Sequence, residues 1–167
     1  MRMKSVGIII SALLLATVAQ ATPTKMNVSV GVASVDVGEK SSTGYDVGFG
    51  YGKYYDGGMY WGGEFILEYA DINAINIIGY AADIRLGYTP VNTAIKDFTL
   101  YGIGAAMYQS VDDHENSGFG YGAGLEYRIS NVFGVNIDYK TFNMTPSKIG
   151  FLDYDYTKTE VSVKYMF

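Results

Sequence analysis

Charged side chains in this chain recur at alternate positions, and many have glycine as the next residue in the same phase. Asp46 shares its phase with Gly48, Gly50 and Gly52. Glu126 and Arg128 continue the phase of Gly120, Gly122 and Gly124, and Asp138 and Lys140 that of Gly134. The same pattern takes in Glu64, Glu68, Asp83, Arg85, Lys158, Glu160 and Lys164. A period of two puts such residues on one face of a strand. Seven acids and five bases enclosed together must pair, because an isolated charge removed from water is costly. The network expected from this spacing comprises Glu64, Arg85, Glu126, Arg128, Asp138, Lys140, Lys158 and Glu160. Folding a hairpin about residue 74 brings Glu64 near Arg85. The last two strands place Asp138 and Lys140 among Lys158 and Glu160.

The other chemistry-bearing residue is His114, the single histidine. It stands in Asp112-Asp-His-Glu-Asn-Ser117, with Ser110 close by. A histidine base beside a serine is the minimum for acyl transfer. Asp112, Asp113 and Glu115 offer oxygen to a divalent cation, without the spacing or glycine of an EF-hand loop. An unpatterned polar run of this kind reads first as a solvated loop tip. No catalytic residue, cofactor site or metal site is assigned from it.

Eight alternating segments must position these residues. They are Lys25–Val37, Tyr45–Tyr54, Met59–Ala70, Ile77–Thr89, Phe98–Gln109, Gly118–Ile129, Val132–Asn143 and Tyr154–Phe167. In the first, Val28, Val30 and Val32 share a phase that Val35 and Val37 do not, so a β-bulge is expected near Ala33-Ser34. The segments run longer than the roughly 5–6 residues usual in globular sheets. They match the ~9–11 residues with which a tilted strand crosses a bilayer.

The two faces differ sharply. Val47, Phe49 and Tyr51 oppose Asp46, Gly48 and Gly50; Phe133, Val135 and Ile137 oppose Gly134, Asn136 and Asp138. A soluble barrel would put its bulky face inside and many Thr, Lys and Glu outside. Here the polar face is glycine-rich, as a crowded lumen requires, and an eight-stranded lumen is nearly filled by side chains. The bulky face then meets lipid, with aromatic residues near the strand ends. The expected fold is all-β: an eight-stranded antiparallel up-and-down transmembrane β-barrel with a polar, glycine-rich lumen. Closure leaves no unpaired edge in hydrocarbon.

The N-terminus has the layout of a secretory signal peptide: basic Met1–Lys4, the apolar run Val6–Val18, and Ala19-Gln-Ala21. Thirteen apolar residues are too few for a spanning helix, which needs roughly 20. Residues 1–21 are therefore expected to leave, and 22–167 to form the barrel. Loss of Arg2 and Lys4 leaves ten basic and seventeen acidic side chains, a balance that argues against nucleic acid as a partner. The absence of cysteine excludes disulfides and thiolate metal sites.

Leu100-Tyr-Gly-Ile-Gly-Ala-Ala-Met-Tyr108 and Gly118-Phe-Gly-Tyr-Gly-Ala-Gly-Leu-Glu-Tyr127 resemble strands of the small outer-membrane β-barrel family, OmpA/OmpX-like and often grouped with opacity-type porins. Val161-Ser-Val-Lys-Tyr-Met-Phe167 resembles the signal that the barrel-assembly machinery reads, carried by Val163, Tyr165 and Phe167. The resemblance implies a bacterial outer-membrane location. It implies periplasmic chaperones and the assembly machinery as partners in biogenesis, and outer-membrane lipid and lipopolysaccharide as surroundings. With the N-terminus periplasmic, Gly38–Gly44, Asp71–Ile77, Ser110–Ser117 and Met144–Asp153 become outward loops, the last with apolar Ile149, Phe151 and Leu152. The expected function is non-enzymatic: a monomeric barrel, its lumen closed by charged side chains, in a structural or surface-interaction role. The alternatives are a small porin-like pore and a lipid A-modifying acyl enzyme.

Overall fold

A computed structural model describes residues 24–38, 40–72, 75–90, 93–95, 97–111, 114–147 and 153–167. The strands are β1 Thr24–Val37, β2 Lys40–Tyr54, β3 Met59–Ile72, β4 Ile75–Tyr88, β5 Phe98–Val111, β6 His114–Arg128, β7 Phe133–Pro146 and β8 Tyr154–Met166. Each pairs antiparallel with its sequence neighbours, and β8 returns to β1, so the sheet is a closed barrel of eight strands. Closure is completed at the chain end. Met26 N donates to Phe167 O at 3.0 Å, and Phe167 N donates to Met26 O at 2.9 Å.

The strands reach further than the alternating pattern. At one rim, here called distal, β1 meets β2, β3 meets β4 and β5 meets β6 across two residues each. The loops expected at Gly38–Gly44, Asp71–Ile77 and Ser110–Ser117 are therefore mostly paired strand. So is the start of the fourth: Met144–Pro146 belong to β7. Residues 148–152, with Ile149, Phe151 and Leu152, lie outside the described residues. The physical reason is that both faces of a hairpin beyond the lipid band can be polar. The ladder continues where the hydrophobic contrast fades. The other rim, here called terminal, holds Thr24 and Phe167 and the turns after β2, β4 and β6.

No bulge interrupts β1. Its register to β2 is continuous from Thr24↔Lys53 to Val37↔Lys40. Val35 simply lies on the lumen side, fully buried. It belongs to an apolar layer under the distal rim with Ala70, Ile72, Ile77, Met107 and Met144. The valine phase change thus reflects a change in what fills the lumen, not in the backbone.

The second departure is β5. Its bulky residues Tyr101, Ile103 and Met107 are buried in the lumen, while Gly102, Gly104 and Ala106 face outward. On β2, β3, β4, β6, β7 and β8 the bulky phase faces outward, and Val47, Phe65, Leu86, Tyr121, Ile137 and Val163 are all exposed. The terminal half of the outer wall carries paired aromatics as an interfacial girdle. Phe98 stacks on Tyr127 at 4.7 Å, Phe133 meets Tyr165 at 5.3 Å, and Tyr51 meets Trp61 edge-on at 5.3 Å.

Candidate functional site: the lumen charge network

The charged centre of the lumen is built by inward residues of five strands. Arg85 of β4 reaches Glu64 of β3 at 2.7 Å, Asp138 of β7 at 2.9 Å and its own strand neighbour Asp83 at 3.3 Å. Lys140 of β7 holds Asp83 at 2.9 Å and lies 3.8 Å from Glu160 of β8. Lys158 of β8 is shared by Asp46 at 2.9 Å, Glu68 at 2.8 Å and Glu160 at 3.0 Å. All these side chains are buried. They form one connected cluster because Asp83 bridges Arg85 to Lys140, and Glu160 bridges Lys140 to Lys158.

Hydroxyls complete it. Tyr101 donates to Asp138 at 2.6 Å, and Ser29 donates to Glu64 at 2.5 Å. Tyr156 donates to Glu68. Glycine makes the space. A Cβ at Gly48 would collide with Glu64 Oε1 and Ser29 Oγ, and one at Gly124 with Asp138 Oδ1 and the Tyr101 ring.

A second, smaller group lies toward the terminal rim. Lys164 of β8 pairs with Glu126 of β6 at 2.8 Å, and Tyr54 donates to Glu126. Arg128, expected among the lumen pairs, sits at this rim with its guanidinium 4.5 Å from the centre of the Tyr54 ring. Glu126 is thus held by Lys164 rather than by Arg128. Lys53 is buried here too, its ammonium 5.0 Å from the Tyr55 ring centre.

Of the eight residues expected to form the network, Glu64, Arg85, Asp138, Lys140, Lys158 and Glu160 meet in the central cluster; Glu126 and Arg128 lie apart from it. Sequence reasoning missed Tyr54, Tyr101 and Tyr156, whose hydroxyls reach three of the carboxylates. Only their inward phase marks them, since the bulky-face pattern directs attention to the outward aromatics. The residues expected as an assembly signal, Val163, Tyr165 and Phe167, all face outward.

The central cluster joins six carboxylates to three cations. Asp46 Oδ1 and Asp83 Oδ1 accept no hydrogen bond. Such a lumen disfavours anions and attracts cations weakly. Among the described residues, no three His, Asp or Glu side chains are placed to hold a metal ion.

His114 opens β6 opposite Val111, on the inward phase. Ser110 and Ser117 occupy the outward phase of β5 and β6. The sheet therefore stands between the histidine and both serines.

Bulky and aromatic outside, charged within, closed without an edge: these features define a transmembrane β-barrel with a side-chain-filled lumen. The family model described as outer membrane protein beta-barrel domain matches residues 8–167, and the chain belongs to that family. Its location is accordingly the bacterial outer membrane. Comparison with curated proteins found no match. Among solved structures, the chain is similar to Neisserial surface protein A (TM-score 0.62, 9% identity, covering 86% of this chain and 97% of that one). It is similar to the outer membrane enzyme PagL (TM-score 0.57, 12% identity, 81% and 97%). It is also similar to Ail, the attachment invasion locus protein of Yersinia pestis (TM-score 0.54, 15% identity, 86% and 97%). At these identities the likeness is one of fold.

Proposed function

We propose that this chain is a closed, non-enzymatic outer-membrane barrel with a structural or surface-interaction role. The observation that carries this reading is the filling of the lumen in three successive layers. Glu126, Lys164, Tyr54 and Tyr60 occupy the terminal third. The six-carboxylate cluster occupies the middle. Ile72, Ile77, Met107, Phe142 and Met144 occupy the distal third, together with the buried amides of Gln109 and Asn116. A conducting path needs water beside the charges, and Arg85, Lys140 and Lys158 are only 1–2% exposed. Planar-bilayer recording of the refolded barrel tests this. Silence is expected; stable unitary steps in the wild type would replace this reading with the small-pore one.

The acyl-enzyme alternative needs His114 and a serine on one surface. Their opposite phases support the non-enzymatic reading, and the likeness to PagL does not extend beyond fold. Lipid A recovered from cells with and without the protein should have the same mass spectrum. The remaining parts of the proposal rest on the sequence pattern and are compatible with the family. Residues 1–21 act as a leader, and both ends of the barrel chain face the periplasm. Val163, Tyr165 and Phe167 present the assembly signal, and the mature barrel sits as a monomer among lipid and lipopolysaccharide. The three two-residue hairpins then leave 147–153 as the longest outward connection, which suits a small contact surface better than a large one.

A further inference from the structure

The outer wall has one hollow. Because β5 turns Tyr101, Ile103 and Met107 inward, Gly102, Gly104 and Ala106 meet the membrane. Register widens the hollow, because Ala106 pairs with Ala82 of β4. Phe49 and Phe65 wall one end and Phe119 the other, around a groove of about 470 Å³. That is within the ~300–1,000 Å³ of small-molecule sites. Phe119 is 81% exposed, since the β5 residues on its flank are the small Ala106 and Gly104.

The two glycines need a different explanation from those of the lumen. A Cβ at Gly124 would strike Asp138 and Tyr101. One at Gly104 would meet nothing within 4 Å, and the nearest atom to one at Gly102 is Leu86 O at 3.9 Å. Nothing inside the protein requires glycine at either place, and glycine weakens a strand. What a side chain at Gly104 would fill is the groove itself.

We propose that this groove seats one acyl chain of a membrane lipid. Water is excluded, because an apolar hollow offers it no partners. Hydrocarbon is the medium at this depth: Gly104 lies midway along β5, beyond the aromatic girdle of the terminal half. The groove crosses from β2 to β6, four strand spacings or about 19 Å. A lipid chain spans half of a ~30 Å hydrocarbon core. A slender chain can reach the glycine floor. A second barrel presents another convex wall, which would rest on Phe119 and Phe65 and leave the floor empty.

The test is electron paramagnetic resonance of the full barrel in phosphatidylcholine vesicles containing nitroxide-labelled phosphatidylcholine, the label near the chain terminus. The wild type should show motionally restricted chains from its whole lipid-facing wall, the groove included. Gly104→Phe, which fills the groove, should lower the count of restricted chains per barrel, and Gly104→Ala should lower it less. Val30→Phe, on the outward face of the opposite strand β1, should leave it intact. Heat-shifted mobility on gels establishes folding of each variant; should Gly104→Phe fail to fold, Gly104→Ala and Ala106→Val carry the comparison. An unchanged count of restricted chains in the folded groove variants would overturn the proposal. So would cross-linked dimers that the wild type forms and Gly104→Ala loses.

Discussion

Arg85→Met tests whether the lumen is a dry, paired core. The guanidinium serves three carboxylates, yet three separate losses should not be summed. Asp83 keeps Lys140 at 2.9 Å, and Asp138 keeps the Tyr101 hydroxyl at 2.6 Å. Glu64 keeps only the neutral Ser29 hydroxyl, at 2.5 Å. The variant therefore strands mainly one buried charge, Glu64. Removing one partner of a buried pair costs about 3–5 kcal/mol, chiefly the penalty of the charge left behind. Methionine keeps most of the arginine volume, so the cavity contribution is small.

Urea titration of barrels refolded into lipid vesicles, followed by Trp61 fluorescence and gel mobility, gives the free energy. Arg85→Met should lose about 3–5 kcal/mol, and the double variant Arg85→Met/Glu64→Gln should recover most of it by removing the stranded charge. A loss below about 1 kcal/mol would mean that water already solvates Glu64. A wet cluster would sink the dry-core argument and, with it, the main support for a closed lumen. Failure of Glu64→Gln to rescue would refute the assignment of the loss to that one carboxylate.

The remaining predictions concern the face rule and the seam. Gly102→Val should raise stability by about 0.5–1 kcal/mol, since it meets open space and favours strand conformation, whereas Gly124→Val should prevent folding or cost more than 3 kcal/mol by striking Asp138 and Tyr101; the same urea titration reads both. Deleting Phe167 removes both backbone bonds to Met26 and should impair insertion more than export, seen as periplasmic accumulation of processed chain in fractionated cells. Normal insertion of the truncated chain would remove the aromatic end as an assembly signal. Tyr101→Phe should cost about 1–3 kcal/mol, because Asp138 loses a buried donor, and a smaller loss would show that Arg85 alone satisfies it.

Most of the fold was legible because the central parts of six strands carry charge on one phase only. Asp46, Glu64, Arg85, Glu126, Asp138 and Lys158 could not face hydrocarbon, so each fixed the orientation of its own strand. The pairing of Glu64 with Arg85 followed from the hairpin between them. Two things were not legible. The distal hairpins continue into water, where the ladder persists without hydrophobic contrast, so Lys40–Gly44 and Met144–Pro146 read as loop. And β5 carries no charge between Thr99 and Val111, so nothing local says which phase is inward. Its orientation is set by its neighbours: Leu86↔Gly102 and Asp83↔Ala105 place Gly102 outward and Ala105 inward by register.

That contrast bears on why a barrel should fill its lumen with charge at all. Buried ion pairs often add little net stability over well-packed apolar residues. Their effect on the alternatives is larger. A one-residue slip turns every side chain of a strand to the other face. In β4 such a slip would carry Asp83 and Arg85 into lipid, and an arginine at the bilayer midplane alone costs about 2–4 kcal/mol. The pairs in the lumen would be lost in the same step. A leucine-filled lumen would allow the slip at almost no cost, because both faces would then suit hydrocarbon. On this argument the cluster around Arg85 and Lys158 chiefly specifies register. β5 can do without charge because it is hydrogen-bonded on both sides to strands that have it. Moving the charge pair to β5, by combining Arg85→Leu and Asp83→Ala with Ile103→Arg and Ala105→Asp, should retain the register of β4 against β5. Omitting the compensating pair should allow slipped species, visible as loss of the Ile84–Gly104 pairing in cysteine cross-linking across those positions.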